Sequence, residues 1–446
     1  MTDISILPEE RGAQRFIGRG ALLFVLIVGL LPNLFFLLVM PFFIAERLIT
    51  PMLYVTAAIA ALFLPRFAVY ALFFIIAVID LCLIVMVAFH LPLALAIDSV
   101  RYMATIDVSA SSFYVAVISI NLALALVSAW LFDRTRTEIR LASPLPVLLV
   151  ALSLMAADFH FNFHYFPKST SVFDSADSQN GLSADAVAAR GGKLLIVMVE
   201  ELGAFADPAE KKILSSKLEK AASHAGYTFS SGTTPYSGST TGAASRELCG
   251  RWGDHRDYIA GAHTDNCLPK LLRERGYETV AYHGYTSDMF ERHTWYPNIG
   301  FSEFHSMETM IRDAPMLAAR RCGSVFLGLC DSDVGALVHS RLLEPGDKPK
   351  FVYWLTLNSH VPFVAKDRGA LGCRTGNSPI TNATVCELTE LWGDVFDAIA
   401  VIAADTRLLP TDILVVGDHH TPLWERAAKD RFTLGLVDWY MLRKAS

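Results

Sequence analysis

The stretch LLIVMVEE, residues 194–201, places six apolar residues directly before two glutamates. A short apolar run without alternation is typical of a strand buried on both faces of a parallel sheet. Three later runs have the same form: ETVAYH at 278–283, FVYWLTL at 351–357 and DILVVG at 412–417. Helical patterns lie between them, such as PAEKKILSSKLEKAASHAG at 208–226, which stops at a glycine. Residues 193–446 are therefore predicted to form an α/β domain with a largely parallel central sheet.

Acids and histidines follow each of the four predicted strands. They are Glu200 and Glu201, then His283, then His360 in the run Asn358-Ser359-His360, and finally Asp418, His419 and His420. Because ligands of open α/β sheets bind outside the carboxyl ends of the strands, these side chains are expected to meet. Carboxylates and imidazoles are ligands of divalent metals. The pattern favours Glu200, Asp418 and His419 as metal ligands.

A Ser/Thr-rich turn, SGSTTGAASRELCG at 237–250, supplies a candidate nucleophile. The pattern predicts a helix whose N-cap is Thr240, so that the hydroxyl lies where helix amides favour an anionic phosphate. A threonine hydroxyl is activated by a neighbouring base or metal ion. Thr240 is therefore a candidate nucleophile, and a plain Ser/Thr-rich turn that caps a helix is the alternative.

The first third of the chain is much more apolar than the rest. The 446 residues are 53% hydrophobic and 18% charged, against about 25% charged in ordinary soluble domains. The run ALLFVLIVGLLPNLFFLLVM at 21–40 is long enough to cross ~30 Å of hydrocarbon. A transmembrane domain of about five helices is predicted within 17–157, at 17–40, 49–64, 67–90, 113–131 and 142–157. Asp80 lies inside the third of these, where either a functional role or a hydrogen bond between helices would explain it.

Arginines set the predicted orientation of this domain. They concentrate before the first span, between the second and third, and between the fourth and fifth: Arg11, Arg15, Arg19, Arg66, Arg134, Arg136 and Arg140. The positive-inside rule then predicts a cytoplasmic N-terminus at 1–16, an interfacial segment and linker at 158–192, and a catalytic domain on the outer side. A cleaved signal peptide is the alternative for the first run, but four more spans do not follow such a peptide.

Six of the seven cysteines fall in the polar part of the chain. An even number in a domain outside the cytoplasm indicates disulfides. Sequence neighbours form three natural couples that close short loops: Cys249 with Cys267, Cys322 with Cys330, and Cys373 with Cys386. Six free thiols are the alternative.

Five segments in order resemble the alkaline phosphatase and sulfatase superfamily. They are IVMVEELG, SGSTTGAASRELCG, YHGYTSDMFERHTWYPNIGFSEF, LNSHVPF and VVGDHHTP, between about residues 193 and 440. With the preceding spans, the chain looks like the membrane-anchored phosphotransferase branch: lipoteichoic acid synthase, the periplasmic-glucan phosphoglycerol transferases and the lipid A phosphoethanolamine transferases. The resemblance implies an alkaline phosphatase-like fold.

The resemblance also assigns roles to residues. It implies that Glu200, Asp418 and His419 bind the metal together with the nucleophile Thr240. Thr241 is the alternative nucleophile, because GSTT can be aligned in either register.

The substrate site follows from the same resemblance. Phe290 and Arg292 match a substrate-binding aromatic and arginine, and a guanidinium suits the grip on phosphate oxygens. His360 matches the histidine that faces the transferred phosphate. His283 and His420 are further pocket candidates, with a structural role as the alternative for each.

Three positions depart from the family pattern and leave substrate choice open. Glu201 stands where the branch usually has Ser or Thr, Ala244 replaces an acidic residue, and His420 occupies a frequent glycine position. The resemblance implies one divalent ion, Zn or Mn. A sulfatase is disfavoured, because the CLPKL fragment lacks the arginine of the C/S-x-P-x-R motif that formylglycine formation needs.

The resemblance implies a two-step transfer of a phospholipid head group that releases diacylglycerol. Phosphoethanolamine is the first choice and phosphoglycerol the second, with lipid A, a glycan or another envelope molecule as acceptor. The chain is expected to be a monomer of the bacterial inner membrane with a periplasmic catalytic domain and no nucleic-acid partner. A membrane-anchored phosphatase, phosphodiesterase or sulfatase-type hydrolase is the alternative, whereas a transporter would need more paired polar residues in its spans.

Overall fold

The computed structural model describes residues 18–165, 172–236, 238–408 and 410–444. The predicted cytoplasmic N-terminus, 1–16, lies outside the described residues. The chain divides into two compact units. The first, here the helical unit, contains the chain up to Pro41, Ala45–Val85 and Ala116–His164. The second, here the sheet unit, contains Phe42–Ile44, Met86–Val115 and the chain from Tyr165 onward.

Apolar helices build the first third of the chain. They are α1 (Arg19–Val39), α2 (Thr50–Ala61), α3 (Arg66–Ala88), α4 (Leu93–Ser99), α5 (Ser112–Arg140) and α6 (Leu145–Asn162). Four of the described helices, α1, α3, α5 and α6, are long and apolar enough to cross a membrane. The second predicted span, 49–64, corresponds to α2, which has 12 residues and is shorter than a full crossing. These four helices thus have the length and composition of membrane spans.

The intramembrane acid has a partner that sequence did not reveal. Asp80 of α3 is fully buried and accepts hydrogen bonds from Arg47 Nε at 2.9 Å and from Nη2 at 2.7 Å. Arg47 lies between α1 and α2, and its backbone N–H donates to Asp158 of α6 at 3.2 Å. A buried ion pair with additional hydrogen bonds is the arrangement in which intramembrane charges occur. Asp80 therefore anchors the segment between α1 and α2 to α3 through Arg47.

The sheet unit contains one eight-stranded sheet. Its strands are β1 (Lys193–Val199), β2 (Gly203–Phe205), β3 (Tyr227–Pro235), β4 (Glu278–His283), β5 (Glu303–His305), β6 (Lys350–Leu355), β7 (Thr411–Gly417) and β8 (Phe432–Lys444). The order is β2-β8-β7-β1-β6-β4-β5, and β3 pairs with β8. The pairs among β7, β1, β6, β4 and β5 are parallel, whereas β8 is antiparallel to its neighbours. The four strands predicted from sequence are adjacent at the centre.

Helices cover both faces of this sheet. They are α7 (Ala176–Gln179), α8 (Ala184–Arg190), α9 (Pro208–Ala225), α10 (Thr240–Cys249), α11 (His255–Ile259), α12 (Leu268–Glu274), α13 (Arg292–Asn298), α14 (Met307–Asp313), α15 (Asp331–Leu343), α16 (Ala383–Ala404) and α17 (Arg426–Lys429). Side chains of β1 alternate between two buried clusters: Leu195 and Val197 belong to one, Leu194 and Ile196 to the other. A strand buried on both faces explains the unbroken apolar run of β1.

The predicted fold class is confirmed. Apolar helices precede an α/β domain with a mostly parallel sheet. All three predicted disulfides are also present, joining Cys249 to Cys267, Cys322 to Cys330 and Cys373 to Cys386.

Candidate active site

Three candidate metal ligands meet at the carboxyl ends of β1 and β7. These strands are parallel neighbours, and their register pairs Val199 with Gly417. The residues that follow are therefore side by side: Glu200 after β1, and Asp418 and His419 after β7. Each of these three offers a ligand atom, all of these atoms lie within 4.8 Å of one another, and all three residues are buried. The register of the sheet thus produces this cluster, here called the ligand trio.

The backbone of Glu200 is fixed by the neighbouring strand. Its N–H donates to Thr356 Oγ1 at 2.8 Å, and its carbonyl accepts from Ser359 Oγ at 2.6 Å. Trp392 Nε1 of α16 donates to the same carbonyl at 3.1 Å. These contacts leave the Glu200 carboxylate as the free end of the residue, directed at the trio.

Thr240 joins the trio from the start of α10. Its Oγ1 donates a hydrogen bond to Glu200 Oε1 at 3.0 Å. The N-cap of α10 is Ser239, whose side chain accepts from Gly242 N at 3.1 Å, so the prediction that Thr240 is the N-cap was wrong by one residue. Thr241 Oγ1 instead lies 3.3 Å from Ser239 Oγ. Of the two threonines, Thr240 is the one whose hydroxyl contacts a member of the trio.

The orientation of the trio suits a divalent cation. His419 Nδ1 lies 3.0 Å from the carbonyl oxygen of His420, which leaves Nε2 facing Asp418 Oδ2 at 3.2 Å and Glu200 Oε1 at 3.7 Å. Such a hydrogen bond from the second imidazole nitrogen is what fixes a metal-binding histidine. Asp418 Oδ1 accepts from the N–H groups of Glu201 and His419, which leaves Oδ2 for another partner.

The shifted pKa values of Asp418 and His419 also indicate a site for a cation. Burial, and then the neighbouring Glu200, raises the pKa of Asp418 to about 7. Burial opposes the charged form of His419, but Asp418 and Glu200 raise its pKa to about 10. A cluster that retains protons so strongly has excess negative charge in a buried space. A divalent metal ion fits this donor set, and two carboxylates with one imidazole suit Zn or Mn.

His360 lies beside the trio after β6. Its Nε2 is 4.0 Å from Glu200 Oε1, while Nδ1 is 2.9 Å from the carbonyl oxygen of Val361. Burial lowers the pKa of His360 to about 4. A neutral imidazole with its proton on Nδ1 leaves Nε2 as a hydrogen-bond acceptor toward the site.

Glu201 is a site residue whose role the sequence did not indicate. It is fully buried with a left-handed φ of 58°, and its Oε1 accepts from Val361 N at 2.9 Å. The same oxygen lies 3.4 Å from His360 Nδ1. The sequence signal for this residue was an acid at position 201, where the phosphotransferase branch that the chain resembles usually has Ser or Thr. Glu201 thus lies behind His360 and next to Glu200 of the ligand trio.

Arg292 and His283 are both buried, and the charge of Arg292 acts on His283. Arg292 is 3% exposed at the start of α13, and its Nε has no hydrogen-bond partner among the described residues. Burial, and then the charge of Arg292, lowers the pKa of His283 well below its usual value. His283 Nδ1 lies 3.1 Å from the carbonyl oxygen of Leu355, so the histidine is held by β6. Arg292 is thus a buried cation with an unused donor.

The other two predicted pocket residues do not contact the trio with their rings. Phe290 lies 5.1 Å from the rings of both Tyr102 and His255. His420 is 2% exposed and packs against Tyr236 at 4.9 Å, and its Nε2 has no partner among the described residues.

Arg246 of α10 is a second residue that sequence reasoning missed. It is fully buried, and its guanidinium donates to the carbonyl oxygens of Pro235 and, at 3.0 Å, Gly417. Arg246 also pairs with the buried Glu247 at 2.6 Å. It therefore ties α10, which begins at Thr240, to the end of β7, which precedes Asp418 and His419 of the ligand trio. A lone arginine in a helix pattern carries no sequence signal of such a role.

Comparison with known proteins finds similarity to a part of the chain that includes Glu200 and Thr240. Residues 193–389 match the sulfatase family model. No curated protein matches. The solved structures that match include the lipoteichoic acid synthase LtaP of Listeria monocytogenes, with 16% identity, a TM-score of 0.39, and coverage of 57% of this chain and 66% of that one. The matched part thus spans slightly less than two thirds of the Listeria chain.

Two further structures have a similar degree of likeness. The phosphoglycerol transferase GacH of Streptococcus pyogenes, in complex with sn-glycerol-1-phosphate, shows 14% identity, a TM-score of 0.41, and coverage of 59% of this chain and 72% of that one. The C-terminal periplasmic domain of EptC from Escherichia coli shows 13% identity, a TM-score of 0.37, and coverage of 57% and 73%. The match to the sulfatase family model begins at β1, includes Glu200 and Thr240, and ends before Asp418 and His419.

Proposed function

We propose that the protein transfers the phosphate-containing head group of a phospholipid through a phosphothreonine at Thr240. One observation carries the proposal: a threonine hydroxyl at a helix start donates to Glu200 at 3.0 Å, inside a buried trio of metal-ligand type. A nucleophile, anionic ligands and the start of a helix together suit attack on a phosphate ester.

In the first step, Thr240 Oγ1 attacks the phosphorus of the donor lipid. The bond between phosphorus and the diacylglycerol oxygen breaks, and diacylglycerol leaves with the proton that Thr240 loses. The hydrogen bond to Glu200 orients the threonine, so that a lone pair of Oγ1 is available to the phosphorus. A divalent ion held by Glu200, Asp418 and His419 would neutralise developing charge on the phosphate and favour ionisation of the hydroxyl.

In the second step, an acceptor hydroxyl displaces the phosphothreonine. His360 Nε2 takes the proton of the acceptor, because this nitrogen is bare and lies on the side of the trio. The proton then returns to Thr240 as the bond between phosphorus and Oγ1 breaks. Arg292 offers an unpaired, buried N–H to phosphate oxygens, as guanidinium groups commonly do.

Phosphoethanolamine is the proposed head group and phosphoglycerol the second choice. Three disulfides favour an oxidising compartment, and the arginine pattern favours a cytoplasmic N-terminus. We therefore place the enzyme in a bacterial inner membrane with its sheet unit in the periplasm, acting as a monomer on lipid A, a glycan or another envelope acceptor. The metal is proposed to be Zn or Mn.

The test uses the purified full-length protein loaded with Zn or Mn. Fluorescent phosphatidylethanolamine and phosphatidylglycerol are supplied separately, and diacylglycerol release is measured with Thr240→Ala and Thr241→Ala as paired variants. We expect release from one lipid, its loss in Thr240→Ala and its retention in Thr241→Ala. Equal release by wild type and Thr240→Ala would contradict the proposal. Release of free head group to water without transfer to any acceptor would favour the hydrolase alternative.

A further inference from the structure

The segment between α3 and α5 belongs to the sheet unit. Residues Met86–Val115 cluster with the sheet rather than with the helices on either side of them in sequence. The segment contains α4 and a 3-10 helix at Val100–Thr105. A connection between two membrane-spanning helices therefore contributes side chains to the unit that carries the candidate active site.

His90 contacts the turn that presents the nucleophile. Its Nδ1 is hydrogen-bonded to Tyr236 Oη, four residues before Thr240. The carbonyl oxygen of His90 lies 2.8 Å from the position that a Cβ on Gly238 would occupy. Gly238 has a φ of 86°, so this position requires glycine both for its conformation and for the close approach of His90. His90 thus touches the chain at two points just before Thr240, at Tyr236 and at Gly238.

The same residue contacts the turn that presents the metal ligands. The His90 ring stacks on His420, with centroids 4.8 Å apart and planes at 23°. His420 directly follows His419, and its carbonyl oxygen orients the His419 ring. One side chain therefore lies between the two turns that must be held in register for transfer.

The neighbouring residue reaches the third part of the site. Phe89 stacks against His360 at 6.2 Å with an angle of 29° between the planes. His90 has a left-handed φ of 49°, which sends these two side chains to different parts of the site. Phe89 and His90 together contact Tyr236 and Gly238 before the nucleophile, His420 after the metal ligands, and His360.

The rest of the segment is fastened to the sheet unit. His255 Nε2 lies 3.1 Å from Asp98 Oδ2 and 3.3 Å from Tyr102 Oη. Asp107 N donates to the carbonyl oxygen of Val325, inside the loop closed by Cys322 and Cys330. These contacts, spread over 98–107, hold the position of His90 from its C-terminal side.

We propose that His90 is a positioning residue of the transfer reaction, which holds the nucleophile turn against the metal-ligand turn. The segment Phe89–Ser111 is then a wall of the active site rather than a passive link between membrane helices. This inference rests on the proposed function, because it takes Thr240 as the nucleophile and His419 as a ligand. Misplacement of a reacting group by about 1 Å can cost about 100-fold in rate, so the contact is expected to affect turnover.

The experiment removes the hydrogen bond between His90 and Tyr236 from either side. His90→Ala and Tyr236→Phe are each expected to lower kcat for diacylglycerol release by about tenfold or more, with KM for the lipid changed less than about twofold. The double variant should be no slower than His90→Ala, because both changes remove one interaction. His90→Asn, which tolerates a positive φ and keeps a hydrogen-bonding amide near the position of Nδ1, should recover most of the rate. His224→Ala, an exposed histidine on α9, is the matched control.

A second readout does not depend on turnover. Amide hydrogen exchange over residues 238–244 is expected to rise in His90→Ala and Tyr236→Phe, while exchange over α9 stays unchanged. Wild-type kcat and exchange in His90→Ala, or losses that multiply in the double variant, would overturn the positioning role. If wild-type enzyme releases diacylglycerol from neither lipid, the proposed function fails, and the exchange experiment alone then decides whether His90 holds the turn.

Discussion

Replacement of Arg246 by methionine should destabilise the sheet unit strongly. Arg246 is fully buried, and methionine keeps the length of the side chain but removes every hydrogen bond of the guanidinium. The carbonyl oxygens of Pro235 and Gly417 lose a donor. Glu247, also fully buried, loses its only partner of opposite charge among the described residues and keeps the N–H groups of Ala176 and Asp177.

The size of the effect follows from this uncompensated charge. Breaking a buried ion pair by removing one partner costs about 3–5 kcal/mol. In a domain of this size, each kcal/mol lowers the unfolding midpoint by about 2–4 °C, so a decrease of roughly 6–20 °C is expected. The double variant Arg246→Met/Glu247→Leu should be less destabilised than Arg246→Met, because it leaves no buried charge without a partner.

Thermal unfolding of the detergent-solubilised protein, followed by tryptophan fluorescence, measures this effect. Arg312→Met is the matched control, since the Arg312 side chain is 72% exposed and its loss should cost less than about 0.5 kcal/mol. Metal content should also fall in Arg246→Met, because the turn after Gly417 loses its tie to α10. An Arg246→Met midpoint within 2 °C of wild type would refute the assigned role.

Three further outcomes are expected. Removal of the metal by a chelator should lower the unfolding midpoint and stop diacylglycerol release, and both should recover when Zn or Mn is added. The midpoint falls because a ligand at 100 times its Kd stabilises the folded state by about 2.7 kcal/mol. An unchanged midpoint would contradict the metal site. Gly417→Ala should give protein of low yield and little bound metal, because its Cβ would lie 1.9 Å from the carbonyl oxygen of Leu202; normal yield and metal content would argue against this close approach. Replacing Cys373 and Cys386 by alanine should lower the free energy of unfolding by about 3 kcal/mol in denaturant titration, because the disulfide closes a loop of 13 residues. An unchanged free energy of unfolding in non-reducing conditions would mean that this pair does not constrain the unfolded chain.

The centre of the fold and the ligand trio could be predicted from sequence because both follow from local patterns. Unbroken apolar runs mark strands that are buried on both faces, and polar residues at their ends meet at one edge of a parallel sheet. Glu200 and Asp418 needed no further information to be placed together. Strand β8, which pairs with β7, β2 and β3, was not predicted, since its run FTLGLVDWYMLRK mixes polar and apolar residues and includes a glycine.

Other parts of the site depend on contacts between residues far apart in sequence. Glu201, Arg246 and His90 each act through such contacts, and their local sequence resembles a turn, a helix and the end of a membrane span. The helix start was misplaced by one residue, because Ser239 and Thr240 are both common at N-caps. The assignment of Met86–Val115 to the sheet unit depends on packing that no periodicity records.

In the proposed reaction, Thr240 carries the transferred head group. The most direct measurement is tandem mass spectrometry of the metal-loaded full-length protein after brief incubation with phosphatidylethanolamine and no acceptor. We expect a phosphoethanolamine adduct on Thr240, absent from Thr240→Ala and accumulating in His360→Ala, in which the second step is slowed. An adduct on another residue, or diacylglycerol release with no adduct at any time, would contradict this role of Thr240.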